Sequence, residues 1–276
     1  MKARDKFWIF GVRPHQDDIM LGYSRLTRPY SWSRITPGEA AHMLDVPNMI
    51  MVNCDGQPPA YSADAYGYAE SFIRMDRVLW SVTGSYDTKG GSRSGNEESF
   101  VCELAKKYPN IKGAFMDDFF QRFKDDPDPT ASAEKMLSQI RSGLDKAERH
   151  MDLYVVWYTR ELASVDKRLL SYIDGITLWT WEGENLIHLP ENFDVIEKNF
   201  KDKKKLLGIY MYDFSKGMPV TLEQMEYQCE FGLRMMKEGR LDGMIFEANS
   251  VMGVGLPSEL WLREWLEKVK NVEVPD

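Results

Sequence analysis

Three cysteines in 276 residues, Cys54, Cys102 and Cys229, are too widely spaced and odd in number to make a disulfide framework or a zinc ribbon. The thiols are expected to be reduced, and the fold must be held by its core rather than by covalent staples. Long apolar runs are missing as well: nothing approaches the ~20 residues of a membrane-spanning helix. The first apolar run, Phe7 to Val12, follows basic residues but is too short for a signal-peptide core and is closed by Arg13. These absences predict a soluble, cytoplasmic protein with no membrane partner. Positive charge is also scarce. The net charge is −8, the pI is near 5.2, and the one basic block, Lys201 to Lys205, is interrupted by an Asp, so nucleic acid is not an expected partner. No Gly-x-Gly-x-x-Gly follows the first apolar run, which argues against a dinucleotide fold, and no cofactor is expected.

Aromatic side chains and short apolar runs are what the chain has instead. Eight Trp, 13 Tyr and 13 Phe are present, several of them beside the ends of predicted strands rather than in helical stripes. Apolar runs near residues 7–12, 48–52, 77–82, 112–116, 152–157, 175–179, 206–211 and 243–246 have the length and bounding turn signals of buried strands. Between them lie eight predicted helices. Thr36-Pro37-Gly38-Glu39 has the N-cap, N1 proline and capping-box Glu that open one helix to about Val46. Others are predicted at 62–75, 96–108, 130–150, 165–172, 191–201, 221–238, closed by Gly239, and 257–269. Eight strands alternating with eight helices in 276 residues predict an α/β fold, a single (β/α)8 TIM barrel forming one domain over residues 1–276. Residues 84–95, dominated by Gly, Ser, Asp, Thr and Lys, read as an unstructured loop of the length that often serves as a lid.

In such a barrel the site is built at the C-terminal strand ends, which makes the residues after each apolar run the natural candidates. In chain order these are Arg13 and His15, Asn53 and Asp55, Thr83, Asp117 and Asp118, Trp157, Tyr158 and Arg160, Trp179, Trp181 and Glu182, Tyr212 and Asp213, then Glu247 and Asn249. The fourth strand is the most telling: Gly113-Ala114-Phe115-Met116 ends abruptly in two carboxylates. A strand buried on both faces has no reason to finish on acids unless they point into something. Carboxylates interleaved with Trp and Tyr suit glycosidic chemistry, in which one acid protonates the leaving oxygen, one carboxylate attacks or activates water, and flat rings lie against the sugar. Asp117, Asp118, Asp213 and Glu182 are the catalytic candidates. Arg13, His15, Trp157, Tyr158, Arg160, Trp179, Trp181, Glu247 and Asn249 are the candidates for substrate binding.

The run Gly113 to Phe120 resembles the fourth strand of a bacterial glycosidase-like group of (β/α)8 proteins, where it reads Gly-x-x-Met-Asp-Asp-Phe-Phe. Leu178-Trp179-Thr180-Trp181 and Gly208-Ile209-Tyr210-Met211-Tyr212-Asp213 are similar to the same group. The resemblance implies a carbohydrate substrate and a catalytic Asp at 117, with Glu182, Asp213 or Glu247 as the second acid. Asp118 would orient Asp117 or shift its pKa by like-charge repulsion. The chitinase pattern Asp-x-x-Asp-x-Asp-x-Glu is absent. Pro14-His15-Gln16-Asp17-Asp18 is similar to the Pro-His-Pro-Asp-Asp-Glu motif of zinc-dependent deacetylases, but Gln16 and Ile19 depart from it and no His-x-x-His accompanies it. Two other readings stay open at this point. One is a divalent-metal-dependent isomerase, aldolase or lyase using His15, Asp117, Asp118 and Glu247, and the other is a barrel that binds sugar without cleaving it.

Overall fold

The computed structural model describes residues 1–14, 33–54, 56–84 and 93–276. His15, Asp55 and the predicted lid around Gly90-Gly91 therefore lie outside the described residues. Eight parallel strands close into a barrel: β1 (Phe7–Gly11), β2 (Asn48–Met51), β3 (Arg77–Thr83), β4 (Ile111–Met116), β5 (Asp152–Tyr158), β6 (Gly175–Trp179), β7 (Lys204–Tyr210) and β10 (Gly243–Glu247). A two-residue ribbon, β8 (Tyr212–Asp213) with β9 (Met218–Pro219), projects beyond β7. Neighbours in the chain are neighbours in the barrel, and β10 pairs in parallel with both β1 and β7, from Phe7 opposite Met244 to Phe10 opposite Glu247 on one edge. Every residue of β1 and β2 is buried, as expected for strands covered on both faces. This is the (β/α)8 TIM barrel that the alternation predicts.

Seven α-helices lie among the described residues: α1 (Pro37–Leu44), α2 (Ala63–Ser71), α3 (Glu97–Lys107), α4 (Pro129–Leu144), α5 (Leu189–Asn199), α6 (Leu222–Lys237) and α7 (Pro257–Val269). The expected α1 cap is present: the Glu39 N–H donates to Thr36 Oγ1 at 3.3 Å, and Glu39 Oε2 accepts from the Thr36 N–H at 2.8 Å. The Thr36 N–H and the Thr36 hydroxyl, both donating to Glu39 Oε2, hold the Glu39 carboxyl below the usual carboxylate range. The predicted helix at 165–172 is instead a 3-10 turn, Lys167–Tyr172. Asp166 Oδ1 accepts from the N–H of Arg168, two residues on, and the Arg168 guanidinium folds back onto the same carboxylate, which closes the backbone more tightly than an α-helix allows. The helix predicted to reach residue 150 stops at Leu144, after which three-residue turns deliver Arg149 to the carbonyls of Ala105, Tyr108 and Ile111.

Packing divides the chain into two compact units. The first comprises Met1–Met49, Trp179–Glu191 and Leu206–Asp276. Here the Asn48 amide donates to the carbonyls of Asp5 and Phe7 (3.0 and 2.8 Å), and the fully buried Asn249 bridges Val12 and Ile35. Gln228 of α6 reaches into the sheet to bond both the N–H and the carbonyl of Tyr210, at 3.2 and 2.9 Å. Gly208 has no side chain because the Trp179 ring lies on it: a Cβ there would sit 2.0 Å from a ring carbon.

The second unit comprises Ile50–Leu178 and Asn192–Lys205. Strand β4 lies between β3 and β5, with Ala114 opposite Trp80 and Leu153. Phe100 of α3 seats edge-on against Trp80 at 5.8 Å and Tyr66 at 5.3 Å, anchoring the helix layer to the sheet.

Candidate active site

At the C-terminal end of β4, Asp117 continues the sheet. Its N–H donates to the Thr83 carbonyl at 3.1 Å, and Thr83 Oγ1 donates back to the Asp117 carbonyl at 3.2 Å, so the ends of β3 and β4 are clamped. Asp118 then takes a left-handed conformation, φ 44°, which Asp tolerates better than most residues. The turn brings the Asp118 N–H within 3.0 Å of Asp117 Oδ1. Asp117 is consequently buried, while Asp118 is half-buried. Arg122, in the turn that follows, donates to the Asp117 carbonyl at 3.3 Å and to the Gly84 carbonyl.

Strand β5 supplies the partner of Asp118. The Tyr158 hydroxyl donates to Asp118 Oδ1 at 2.7 Å, and the Arg160 guanidinium lies 4.5 Å from the centre of the Tyr158 ring. Glu161, one residue further on, turns back so that its Oε2 accepts from the Tyr158 N–H at 3.0 Å. Burial pushes the Glu161 carboxyl up to about 7; the Asp118 charge adds to that rise, while the Tyr158 hydrogen bond and the Arg160 charge oppose it. Two carboxyl groups and an arginine thus converge on one tyrosine. Trp157, the neighbouring residue, points elsewhere. It is 1% exposed and wedged edge-on between Phe120 and Phe200, with ring centres 4.5 and 4.8 Å away, so it fills the core.

In the first unit, Asp213 is buried with its carboxylate fully engaged. Oδ1 accepts from the Ser215 N–H, the Ser215 hydroxyl and the Lys216 N–H at 3.0, 2.5 and 3.0 Å, and Oδ2 accepts from the Gly183 N–H at 3.2 Å. Glu182 is half-buried and accepts from the Asn185 side chain at 3.3 Å, while the neighbouring Glu184 is exposed and paired with Lys216. Trp179 is 2% exposed, between Gly208, Phe10 and Tyr210. Trp181 is half-buried and stacks at 24° on Phe214, with Tyr210 edge-on to it at 6.0 Å. Arg13 is buried and donates to the Pro14 carbonyl at 3.2 Å; Asn249 spends its amide on backbone; Glu247 is half-buried opposite Phe10 and Tyr210.

Of the predicted residues, Asp117, Asp118, Tyr158 and Arg160 are brought together in the second unit, and Trp181 and Asp213 flank one loop of the first. Glu161, Arg122 and Phe214 were not singled out from the sequence. Phe214, directly after Asp213, carries the same strand-end signal as its neighbours, whereas Glu161 lies three residues past the end of β5 and only burial distinguishes it. Among the described residues, one trio of side chains has metal-binding spacing: His150, Asp152 and Asp174, at the N-terminal ends of β5 and β6. There Asp174 already accepts from His150, from Arg141 and from the Leu153 N–H.

No family model matches the chain. No curated protein matches it either. Solved structures do match over nearly its full length. The glycoside hydrolase domain of PgaB (BpsB) from Bordetella bronchiseptica is 11% identical, covers 97% of this chain and 99% of its own, and has a TM-score of 0.52. The GH99 endo-alpha-mannosidase from Bacteroides thetaiotaomicron is 8% identical, covers 98% and 99%, and has a TM-score of 0.56. Active domain 2 of a thermostable chitinase from Pyrococcus furiosus is 9% identical, covers 96% and 94%, and has a TM-score of 0.57. At these identities the likeness is one of fold: this chain has a barrel of the kind on which those glycoside hydrolases are built.

Proposed function

We propose that the protein is a glycoside hydrolase whose reacting carboxylate is Asp118, at the end of β4. The observation that carries this reading is the Asp117–Asp118–Tyr158 arrangement. Asp117 turns its carboxylate onto the next N–H and acts as the positioning residue, while Asp118 is half-buried with one oxygen fixed by the Tyr158 hydroxyl. Sequence reasoning alone favours Asp117 as the reacting acid; the hydrogen bonds favour its neighbour. Arg160 beside Tyr158 supplies a donor for sugar hydroxyls. Asp213, with four donors already on its carboxylate, serves to hold its loop. The full-length likeness to glycoside hydrolase barrels is consistent with this chemistry.

The test is reducing-end release from a panel of polysaccharides and nitrophenyl glycosides by the wild type and by Asp118→Asn. The expected result is turnover of at least one substrate by the wild type and a loss of about 10³-fold or more in the variant, with glycan binding retained. Glycan binding without release by the wild type would instead establish the non-catalytic barrel, which the complete engagement of Asp213 favours as the second reading.

A further inference from the structure

We infer that Glu161 is the general acid of this site, donating the proton that lets the leaving sugar oxygen depart. The inference rests on the glycoside hydrolase reading above. Glycosidic cleavage needs two carboxyl groups in opposite protonation states, one giving a proton and one carrying negative charge. Asp118 and Glu161 are the two carboxyl groups held at Tyr158, one accepting from its hydroxyl at 2.7 Å and the other from its backbone N–H at 3.0 Å.

Their surroundings differ. Asp118 is half-buried and accepts a hydrogen bond from the Tyr158 hydroxyl. Glu161 lies within the turn Thr159–Ser164 and is half-buried; its burial and the Asp118 charge both favour the protonated form. The charge of Arg160, whose guanidinium lies over the Tyr158 ring, opposes but does not overcome those effects. An acid that is half protonated near neutral pH is well matched to this work.

The Glu161 carboxyl gives its proton to the glycosidic oxygen as the bond to the anomeric carbon breaks, and the electron pair of that bond stays on the departing oxygen. Water supplies the new hydroxyl to the anomeric carbon, and its proton passes to Asp118. Net, one water is added across the bond, and solvent restores both carboxyl groups.

The experiment compares Glu161→Gln with the wild type on a 4-nitrophenyl and a 2,4-dinitrophenyl glycoside of whichever sugar the wild type turns over, with pH profiles of kcat/KM. The dinitrophenolate leaves without protonation, so a missing general acid is felt mainly on the poorer leaving group. The expected result is a loss of about 10²-fold or more on the nitrophenyl substrate, at least 10-fold less loss on the dinitrophenyl substrate, and disappearance of the basic limb of the wild-type profile. The ratio between substrates does not depend on how much variant is folded. Equal losses on both substrates, or an unchanged basic limb, would overturn the assignment of Glu161 and leave the glycosidase reading intact. A wild type inactive on every glycoside would overturn both.

Discussion

Replacing Asp213 with alanine should destabilise the protein by about 3 kcal/mol, because this carboxylate organises a loop. Its four donors fall into two groups. Ser215 and Lys216 are exposed, so water can take over their hydrogen bonds, and losing the tight turn they make costs only about 1 kcal/mol. The Gly183 N–H is different. It is buried, its partner Asp213 is 5% exposed, and truncation leaves that donor unpaired at a cost of about 2 kcal/mol. Gly183 is packed closely, since a Cβ there would lie 2.8 Å from the Gln224 amide nitrogen and 3.1 Å from Asp213 Oδ2. For a chain of this size each kcal/mol lowers Tm by roughly 2–4 °C, so the Ala variant should melt roughly 6–12 °C below the wild type. Asp213→Asn should lose part of this stability, because its amide presents N–H groups where one of the two oxygens now accepts. The assay is differential scanning calorimetry of the three proteins at neutral pH. A melt of Asp213→Ala within 2 °C of wild type would refute the reasoning and return Asp213 to the list of acids free for catalysis.

Glu161 carries a pH dependence of stability whose sign follows from its raised pKa. The folded state holds the proton more tightly than the unfolded chain does, so the wild type should lose about 3 kcal/mol as pH rises from about 4.5 through about 7, and Glu161→Gln should lack that slope in urea titrations; parallel curves would count against the buried-acid picture. Gly208→Ala should be destabilised by roughly 3 kcal/mol, since the added Cβ meets three ring carbons of Trp179 within 2.4 Å and that ring is itself held by Phe10 and Tyr210. An unchanged denaturation midpoint, with an unchanged near-ultraviolet circular dichroism signal from the tryptophans, would show that the ring has space to retreat.

Much of the barrel was legible because it is written in local pattern. The strand boundaries read from apolar runs fall within one or two residues of those observed, and the Thr36–Glu39 capping box forms as its spacing demands. The helix predicted at 165–172 failed on an equally local detail, the competition between Asp166 and the backbone for the Arg168 N–H, which propensity over an eight-residue window does not capture. Tryptophans at strand ends all look alike in a sequence. Trp157 and Trp179 lie within strands and enter the core, whereas Trp181 lies past the end of β6 and stays half-buried with Phe214.

The sequence by itself determined the alternation of eight strands with helices, the acidic ending of β4 and the aromatic character of the strand ends, because each depends on residues close together in the chain. Only the tertiary structure decided what surrounds each acid. Asp213 receives a donor from Gly183, 30 residues away; Asp118 is held by Tyr158, 40 residues away; and Glu161 acquires its proton affinity from burial and from the Asp118 charge. A carboxylate's role is fixed by its hydration and by the charges and donors around it, and in a barrel those come from strands that meet only when the chain closes on itself.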